Sequence, residues 1–294
     1  MPENPAPITI ACEERLEDNE LILGQQDASK TCSLQWVLRF LLNPNFVVMT
    51  QAQLDPMDVC AFGAHPDDVE LAAGGTIASM VANGKRVALV DLTRGELGTR
   101  GTGETRDLEA AAAAEVLGVM HRENLNLGDG FFEIDQPALM KVIEVLRRLR
   151  PQLVLANAKS DRHPDHARAS SLLERACFLS GLLKIETVDQ KSGELQAPWR
   201  PPSLHCYIQD RWRTPDFIVD ISGFETVKYA AIGAYKTQFY SGSEEEPATP
   251  ISSPEFLQHL KSRDAAMGRL GGVQSAEGFE SSRPPVVRDL LDLL

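Results

Sequence analysis

Four side chains that can bind a metal ion or move a proton lie within six positions of one stretch, "GAHPDDVELAAGGT" at residues 63–76: His65, Asp67, Asp68 and Glu70. Carboxylates this close repel one another unless a positive charge lies among them. A metal ion is one candidate for that charge. A second stretch, "SDRHPDH" at residues 160–166, offers two further histidines.

The residue types and spacing predict a metal site with two histidines and one carboxylate. His65 and Asp68 stand three positions apart, close to one helical turn, so both can face one point. His166 supplies the third ligand from the second stretch. Such a set leaves positions open for water, suits a catalytic zinc ion, and can hold Fe(II) as well. Asp67 then stays free to accept a proton from that water.

Helix capping is the competing explanation for the acids. Asp67 or Asp68 could cap the helix that follows the first stretch, and Asp165 the helix that follows the second. For Asp165 we favour capping over catalysis. Capping does not explain the two histidines, so for His65, Asp68 and His166 together we favour a metal site.

Alternating strands and helices must bring the two stretches together. We predict strands at 57–64, 86–93, 123–127 and 152–157, and helices at 68–85, 104–119, 136–150 and 167–182. This alternation predicts an α/β fold: a Rossmann-like open, mainly parallel sheet with helices on both faces. Both histidine stretches directly follow strands, and ligands of such sheets bind beyond the carboxyl ends of the strands.

The remainder of the chain predicts a cap region and an N-terminal extension. Strands at 204–209 and 217–221, a helix at 225–239, a long loop at 241–255 and a last helix form the C-terminal cap region. Residues 1–54 lack a clear period and are predicted to be a weakly packed extension. Residues 55–294 then form a single domain.

Composition excludes several classes of protein. The net charge of −13 argues against a nucleic-acid surface, which needs clustered Lys and Arg. Five scattered cysteines without a C-x-x-C pair argue against a disulfide framework and favour the cytoplasm. The most apolar early stretch, 33–50, is interrupted by Arg39 and Pro44, so we expect no membrane span. The glycine-rich loop 95–103 matches neither G-x-G-x-x-G nor a P-loop.

Several motifs resemble one known family. "AFGAHPDDVELAAGGTIA" with "DRHPDHARAS" resembles the zinc-dependent N-acetylglucosaminide deacetylases, the LmbE-like or PIG-L family. Within it, "LTRGELGTRGT" and "YKTQFY" resemble the deacetylases of bacillithiol biosynthesis. The resemblance runs from about Met57 to the end of the chain. It implies a Rossmann-like fold and removal of acetate from N-acetylglucosaminyl-malate, a small-molecule glycoside.

The resemblance also implies a role for each motif residue. His65, Asp68 and His166 match the metal ligands of the family. Asp67 matches its general base, which assists the attack of a metal-activated water on the amide carbonyl. His163 matches the histidine that stabilises the intermediate or protonates the leaving amine.

Four more residues are predicted to contact the substrate. Arg106 and Asp129 match sugar-binding residues, although Arg106 could instead pair with Asp107 or Glu109 on the surface. Tyr207 matches a mobile tyrosine that polarises the carbonyl. Arg100 is a candidate for the malate carboxylate, since arginine binds carboxylates through two bonds.

Two further interpretations stay open. The chain could act on another N-acetylglucosaminide or on a thiol conjugate with the same fold and metal. It could also be a metal-dependent binding protein without turnover, although such a protein has no use for a spare base. The resemblance further implies a homo-oligomer, often a hexamer.

Overall fold

The computed structural model describes residues 56–190, 192–239 and 247–293. The predicted N-terminal extension, residues 1–54, lies outside the described residues, and its separation from the domain stays a prediction. Part of the predicted loop at 241–255 also lies outside them. The three cysteines of the described ranges are free thiols, and all are buried: Cys60, Cys177 and Cys206.

Within the described ranges, seven strands form one sheet. In chain order they are Val59–Gly63 (β1), Val87–Asp91 (β2), His121–Asn124 (β3), Leu153–Ala156 (β4), Ser203–Tyr207 (β5), Phe217–Asp220 (β6) and Ala276–Ser281 (β7). The order across the sheet is β3-β2-β1-β4-β5-β7-β6. The first five strands pair in parallel, whereas β7 runs antiparallel to both β5 and β6. The predicted open, mainly parallel sheet is confirmed.

Helices cover both faces of this sheet. They are Asp68–Ala82 (α1), Gly103–Leu117 (α2), Gln136–Leu149 (α3), Pro164–Leu179 (α4), Glu225–Ile232 (α5) and Pro254–Gly271 (α6). The apolar cluster on one face includes residues of α3 and α4, and the cluster on the other includes residues of α1, α2 and α5. Because β1 is covered on both faces, all five of its residues are apolar or glycine and buried. None of these helices has the length and apolar character needed to span a membrane.

The strand order reverses direction next to β1. The chain proceeds from β1 to β2 and β3 on one side, and then crosses to β4 and β5 on the other. This reversal opens a crevice at the carboxyl ends of β1 and β4, which is where ligands bind in open α/β sheets. The two histidine stretches follow these two strands.

Three elements show the clearest differences between prediction and structure. The third strand is His121–Asn124 rather than 123–127, because its polar residues give a weak pattern. The helix predicted at 225–239 ends at Ile232, and Gly233 follows it as the cap. The antiparallel strand β7 was not predicted, since "AEGFES" has little apolar character and owes its burial to neighbouring strands.

Candidate metal centre and active site

The loops that follow β1 and β4 are joined at the switch in strand order. Val59 and Ala61 of β1 are paired with Leu153 and Leu155 of β4. Just beyond the strands, the amide of Ala64 donates to the side-chain oxygen of Asn157 at 2.9 Å. The two histidine stretches therefore share one crevice although about a hundred residues separate them.

The structure brings the three predicted metal ligands together. The carboxylate of Asp68 lies between the two imidazoles: Oδ2 is 3.5 Å from Nδ1 of His65, and Oδ1 is 3.1 Å from Nε2 of His166. Nitrogen atoms of His65, His163 and His166 also lie within 4.8 Å of one another. The two imidazoles and the Asp68 carboxylate therefore lie next to one another in the cleft, and their role as the ligand set stays a prediction.

Several donors hold the Asp68 carboxylate in place. The side-chain amides of Asn157 and Gln209 each donate to it at 3.0 Å, one to each oxygen. The backbone amide of His65 donates at 2.9 Å. Burial alone would raise the pKa of Asp68, but the charge and hydrogen bond of His166 outweigh it and hold that pKa well below its usual value.

The electrostatics of the cluster favour a cation at this point. Burial would lower the pKa of His166, yet Asp68 and a hydrogen bond to Asp161 raise it to about 9. Burial would likewise lower the pKa of His65, but hydrogen bonds to Asp129, Asp165 and Asp68 raise it well above its usual value. A divalent ion would supply the positive charge that the surrounding carboxylates favour. Three N and O ligands beside an open cleft fit a catalytic zinc site.

Asp67, the predicted general base, lies beside the ligand set but has different partners. Its backbone has φ 110° and ψ −25°, the left-handed region that non-glycine residues rarely adopt and that occurs at functional sites. Its Oδ2 accepts from Nη2 of Arg106 at 3.1 Å. Burial raises the pKa of Asp67 to about 7, although Arg106 opposes that rise. Environments that push the pKa values of Asp67 and Asp68 apart are typical of acid–base sites.

Arg106 lies in the cleft and not on the surface. Besides Asp67, its guanidinium donates to the carbonyl oxygens of Pro66 and Gly95. A Cβ at Gly95 would collide with this guanidinium, so the glycine-rich loop needs glycine there. The alternative partners are engaged elsewhere: Asp107 pairs with Arg94, and Glu109 accepts from Thr237.

His163 begins α4 and lines the same cleft. Its Nδ1 accepts from the backbone amide of Asp165 at 3.3 Å, so the proton of the neutral ring is on Nε2. Burial lowers the pKa of His163, and the neighbouring His65 and His166 lower it further. A neutral imidazole with a proton on Nε2 can donate a hydrogen bond to an oxyanion.

The capping interpretation of the acids is wrong. The cap of α4 is the side chain of His163, whereas Asp165 is the second residue of the helix. Asp165 is fully buried, where it pairs with Arg168 at 2.7 Å and accepts from the amide of Gly130. At the start of α1, Asp67 occupies the cap position without a side-chain capping bond.

The remaining predicted residues divide into one inside the cleft and two outside it. Asp129 lines the cleft and accepts from Nε2 of His65 at 2.9 Å. Tyr207, which was predicted to contact the substrate, lies outside the cleft. It is fully buried in β5, and its hydroxyl donates to the carbonyl of Phe62 at 2.7 Å. Arg100 is also not a cleft residue, since its Nε donates to the carbonyl of Pro247.

Sequence reasoning missed several residues that shape the site. Asp161 lies within the quoted "SDRHPDH" and contacts His166. Gln209 follows β5, the neighbour of β4, so its place beyond a strand end was a usable signal. Arg263 of α6 donates to the carbonyl of Gln209 at 2.8 Å, a contact that no local pattern indicates.

The cleft has a volume of about 260 Å³ and two kinds of wall. The ligand set, Asp67, His163 and Arg106 form the polar wall. Apolar side chains form the other, namely Leu71, Ile251, Phe256 and Leu260. A small molecule with polar and apolar faces fits such a cleft.

Comparisons with known proteins agree with this geometry. The model of the PIG-L family, described as GlcNAc-PI de-N-acetylase, matches residues 60–177, which include both histidine stretches. A solved structure of a conserved protein from Thermus thermophilus is 36% identical, with a TM-score of 0.69, and the match covers 80% of this chain and 98% of that chain. The match to the PIG-L family thus covers the part of the chain that carries the candidate site.

Two curated relatives are named for different activities. Diacetylchitobiose deacetylase of Thermococcus kodakarensis is 28% identical over 76% of this chain and 83% of its own length. 4-oxalmesaconate hydratase of Pseudomonas putida is 29% identical over 77% of this chain and 90% of its own length. The prediction of an enzyme is confirmed, since the matching family model and the first of these relatives are described as deacetylases. Neither relative is named for bacillithiol biosynthesis.

Proposed function

We propose that the chain removes the N-acetyl group from a 2-acetamido sugar by metal-dependent hydrolysis of the amide. One observation carries this proposal: two adjacent carboxylates have separate partners. Asp68 is held between His65 and His166, while Asp67 is turned away toward Arg106. A protein that only bound metal would need the first carboxylate and not the second.

The residues around the ligand set divide the work of amide hydrolysis. A zinc ion held by His65, Asp68 and His166 would lower the pKa of water and polarise the amide carbonyl. Asp67 accepts the proton of the attacking water. His163 donates a hydrogen bond from its Nε2 proton to the oxyanion, and the proton that Asp67 has accepted from water passes to the departing amine. Each such acid–base contribution is typically about 10²–10⁴ in rate.

Arg106 keeps the general base in position. Its guanidinium bonds Asp67 together with two backbone carbonyls, so the carboxylate is tied to the loops that follow β1 and β2. This contact also favours the ionised form of Asp67, which is the form that accepts a proton.

The finer proposal concerns the substrate. We propose N-acetylglucosaminyl-malate, on the strength of the motifs "LTRGELGTRGT" and "YKTQFY". Arg100, the residue first considered for the malate carboxylate, is outside the cleft. Arg162 is the better candidate, because it lines the cleft and its side chain is about half exposed. Its Nε bonds Asp210, which leaves its terminal nitrogens for a carboxylate.

Acetate release from a panel of glycosides tests both levels of the proposal. The purified, zinc-loaded protein is incubated with N-acetylglucosaminyl-malate, N,N′-diacetylchitobiose and free N-acetylglucosamine. We expect release from all that fit the cleft and a strong preference for the malate glycoside, which Arg162→Gln should weaken through KM.

The outcomes separate the two levels. Equal turnover of the three substrates, unchanged by Arg162→Gln, would support the proposed deacetylase activity. It would reject the malate glycoside as the preferred substrate. No release from any of them, with one equivalent of zinc bound, would reject the deacetylase and return the site to the binding-protein interpretation.

A further inference from the structure

Each ligand histidine has a carboxylate on the ring nitrogen that faces away from Asp68. For His166, Nε2 faces Asp68 at 3.1 Å, and Nδ1 bonds Oδ2 of Asp161 at 2.5 Å. For His65 the nitrogens are exchanged: Nδ1 faces Asp68 at 3.5 Å, and Nε2 bonds Oδ1 of Asp129 at 2.9 Å. The two rings therefore present opposite nitrogens to the same point.

The backbone fixes the orientation of both outer carboxylates. The second oxygen of Asp161, Oδ1, accepts from the amide of Arg211 at 2.8 Å. The second oxygen of Asp129, Oδ2, accepts from the amide of Leu97 at 3.0 Å. Each carboxylate thus has one oxygen tied to a backbone donor and the other aimed at a histidine.

We propose that Asp161 and Asp129 are positioning residues that fix opposite tautomers of the two ligand histidines. Asp161 keeps the proton of His166 on Nδ1, and Asp129 keeps the proton of His65 on Nε2. The lone pairs of Nε2 in His166 and Nδ1 in His65 then face the ligand point. Carboxylates behind ligand histidines commonly raise metal affinity by about 10–100-fold. This inference rests on one part of the proposed function, namely that a metal ion binds at this point.

This role is compatible with the sugar-binding role that the sequence resemblance implied for Asp129. Its two oxygens accept from His65 and Leu97, and a carboxylate oxygen can accept more than one hydrogen bond. The two outer carboxylates are not equivalent, however. Oδ2 of Asp165 lies 3.5 Å from the same Nε2 of His65 and offers that proton a second acceptor. No such second carboxylate contacts Nδ1 of His166 within the described ranges, so Asp161 carries the larger share.

Replacement by asparagine tests the tautomer directly, because the backbone amides decide how the new amide is oriented. In Asp161→Asn, the amide of Arg211 needs the oxygen, so the NH₂ group points at Nδ1 of His166. That nitrogen must then accept, and the ring proton moves to Nε2, where it blocks metal binding. An isosteric Asp→Asn change behind a functional histidine acts in this way.

Zinc affinity, measured by competition with a chromophoric chelator, is the first readout. We expect Asp161→Asn to weaken zinc binding about 10–100-fold, at least as much as Asp161→Ala. A residue that only anchored the loop would give the opposite order, since asparagine keeps the bond from Arg211 and alanine loses it. Asp129→Asn should weaken binding less than Asp161→Asn, because Asp165 remains.

The matched control is Asp135→Asn. Asp135 caps α3 by accepting from the amide of Ala138 and contacts no histidine, so its zinc affinity should stay at the wild-type value. Urea unfolding of the metal-free variants verifies that each one folds.

Imidazole ¹⁵N resonances of the zinc-loaded wild type are the second readout. We expect a protonated Nδ1 and a metal-bound Nε2 in His166, with the reverse in His65. The same nitrogen bound in both rings, or wild-type zinc affinity in a folded Asp161→Asn variant, would overturn the inference. Neither readout uses a substrate, so a failure of the deacetylase assay would leave this inference standing and would count only against the proposed function.

Discussion

Two buried charge clusters begin in the same stretch of sequence and end differently. Asp68 faces an open cleft, where His65 and His166 surround it. Glu70, only two residues later in α1, points into a closed cluster with Arg122, Asp91 and Tyr235. There Arg122 bonds both oxygens of Asp91 at 2.8 Å, and Glu70 accepts from Arg122 and from the hydroxyl of Tyr235.

The difference lies in where the positive charge comes from. In the closed cluster the chain supplies it through Arg122, whose side chain is 8% exposed. In the open cluster the histidines can give up their protons, and the charge can come from a metal ion. Removing one partner of a closed ion cluster is costly to the fold, whereas an open cluster beside a cleft can serve chemistry.

Asp67→Ala should give the largest effect on turnover of the changes considered, and it should leave zinc binding unchanged. We expect kcat for acetate release to fall about 10²–10⁴-fold because the proton acceptor is lost, while zinc stays bound at one equivalent. Zinc analysis with steady-state kinetics measures both. Near-normal turnover with zinc retained would contradict the role of Asp67.

Arg122→Met should affect stability and leave the metal centre intact. It strands Glu70 and Asp91 in the interior without their cation, and breaking a buried ion cluster costs about 3–5 kcal/mol. Urea unfolding of the metal-free protein measures this loss. The control is Arg94→Met, whose partner Asp107 is exposed and whose loss should cost about 1 kcal/mol or less. Equal losses in the two variants would remove the distinction between the clusters.

Tyr235→Phe tests the same closed cluster by a smaller change, the loss of one hydrogen bond. It deletes the hydroxyl that donates to Glu70 at 2.7 Å and should cost about 1.5–3 kcal/mol, as for a hydrogen bond to a charged group. Zinc affinity should not change. A drop in zinc affinity with unchanged stability would show that the two clusters are coupled.

A chain that begins at Met57 should show the smallest effect. Met57 is buried, its amide donates to the carbonyl of Leu149, and both clusters lie after it in sequence. We therefore expect wild-type kcat and an unfolding free energy within error of the full chain. Loss of soluble protein on this truncation would show that residues 1–56 contribute to the domain.

Much of the site could be predicted because its chemistry is local in sequence. "HPDD" and "HPDH" each place a histidine and a carboxylate close together, and the strand–helix alternation locates both stretches at one edge of the sheet. Residues whose role depends on tertiary contacts could not be predicted from the local sequence. Gln209 reaches Asp68 from 141 positions away, and the cation of Glu70 is Arg122, so the four acids and histidines of the opening motif do not form one group.

The errors have the same origin. Tyr207 was placed in the cleft by resemblance, but the alternation along β5 directs its side chain into the core. Strand β7 has few apolar residues and is held by pairing with β5 and β6, which a local pattern does not reveal.

The most direct test of the central account is a zinc titration of the metal-free protein, followed by acetate release from N-acetylglucosaminyl-malate. We predict no release without metal and a rate that rises linearly until one equivalent of zinc is bound. His166→Gln should need far more zinc to reach any activity. Full acetate release from the stripped protein, or a rate independent of zinc, would contradict a metal centre at His65, Asp68 and His166.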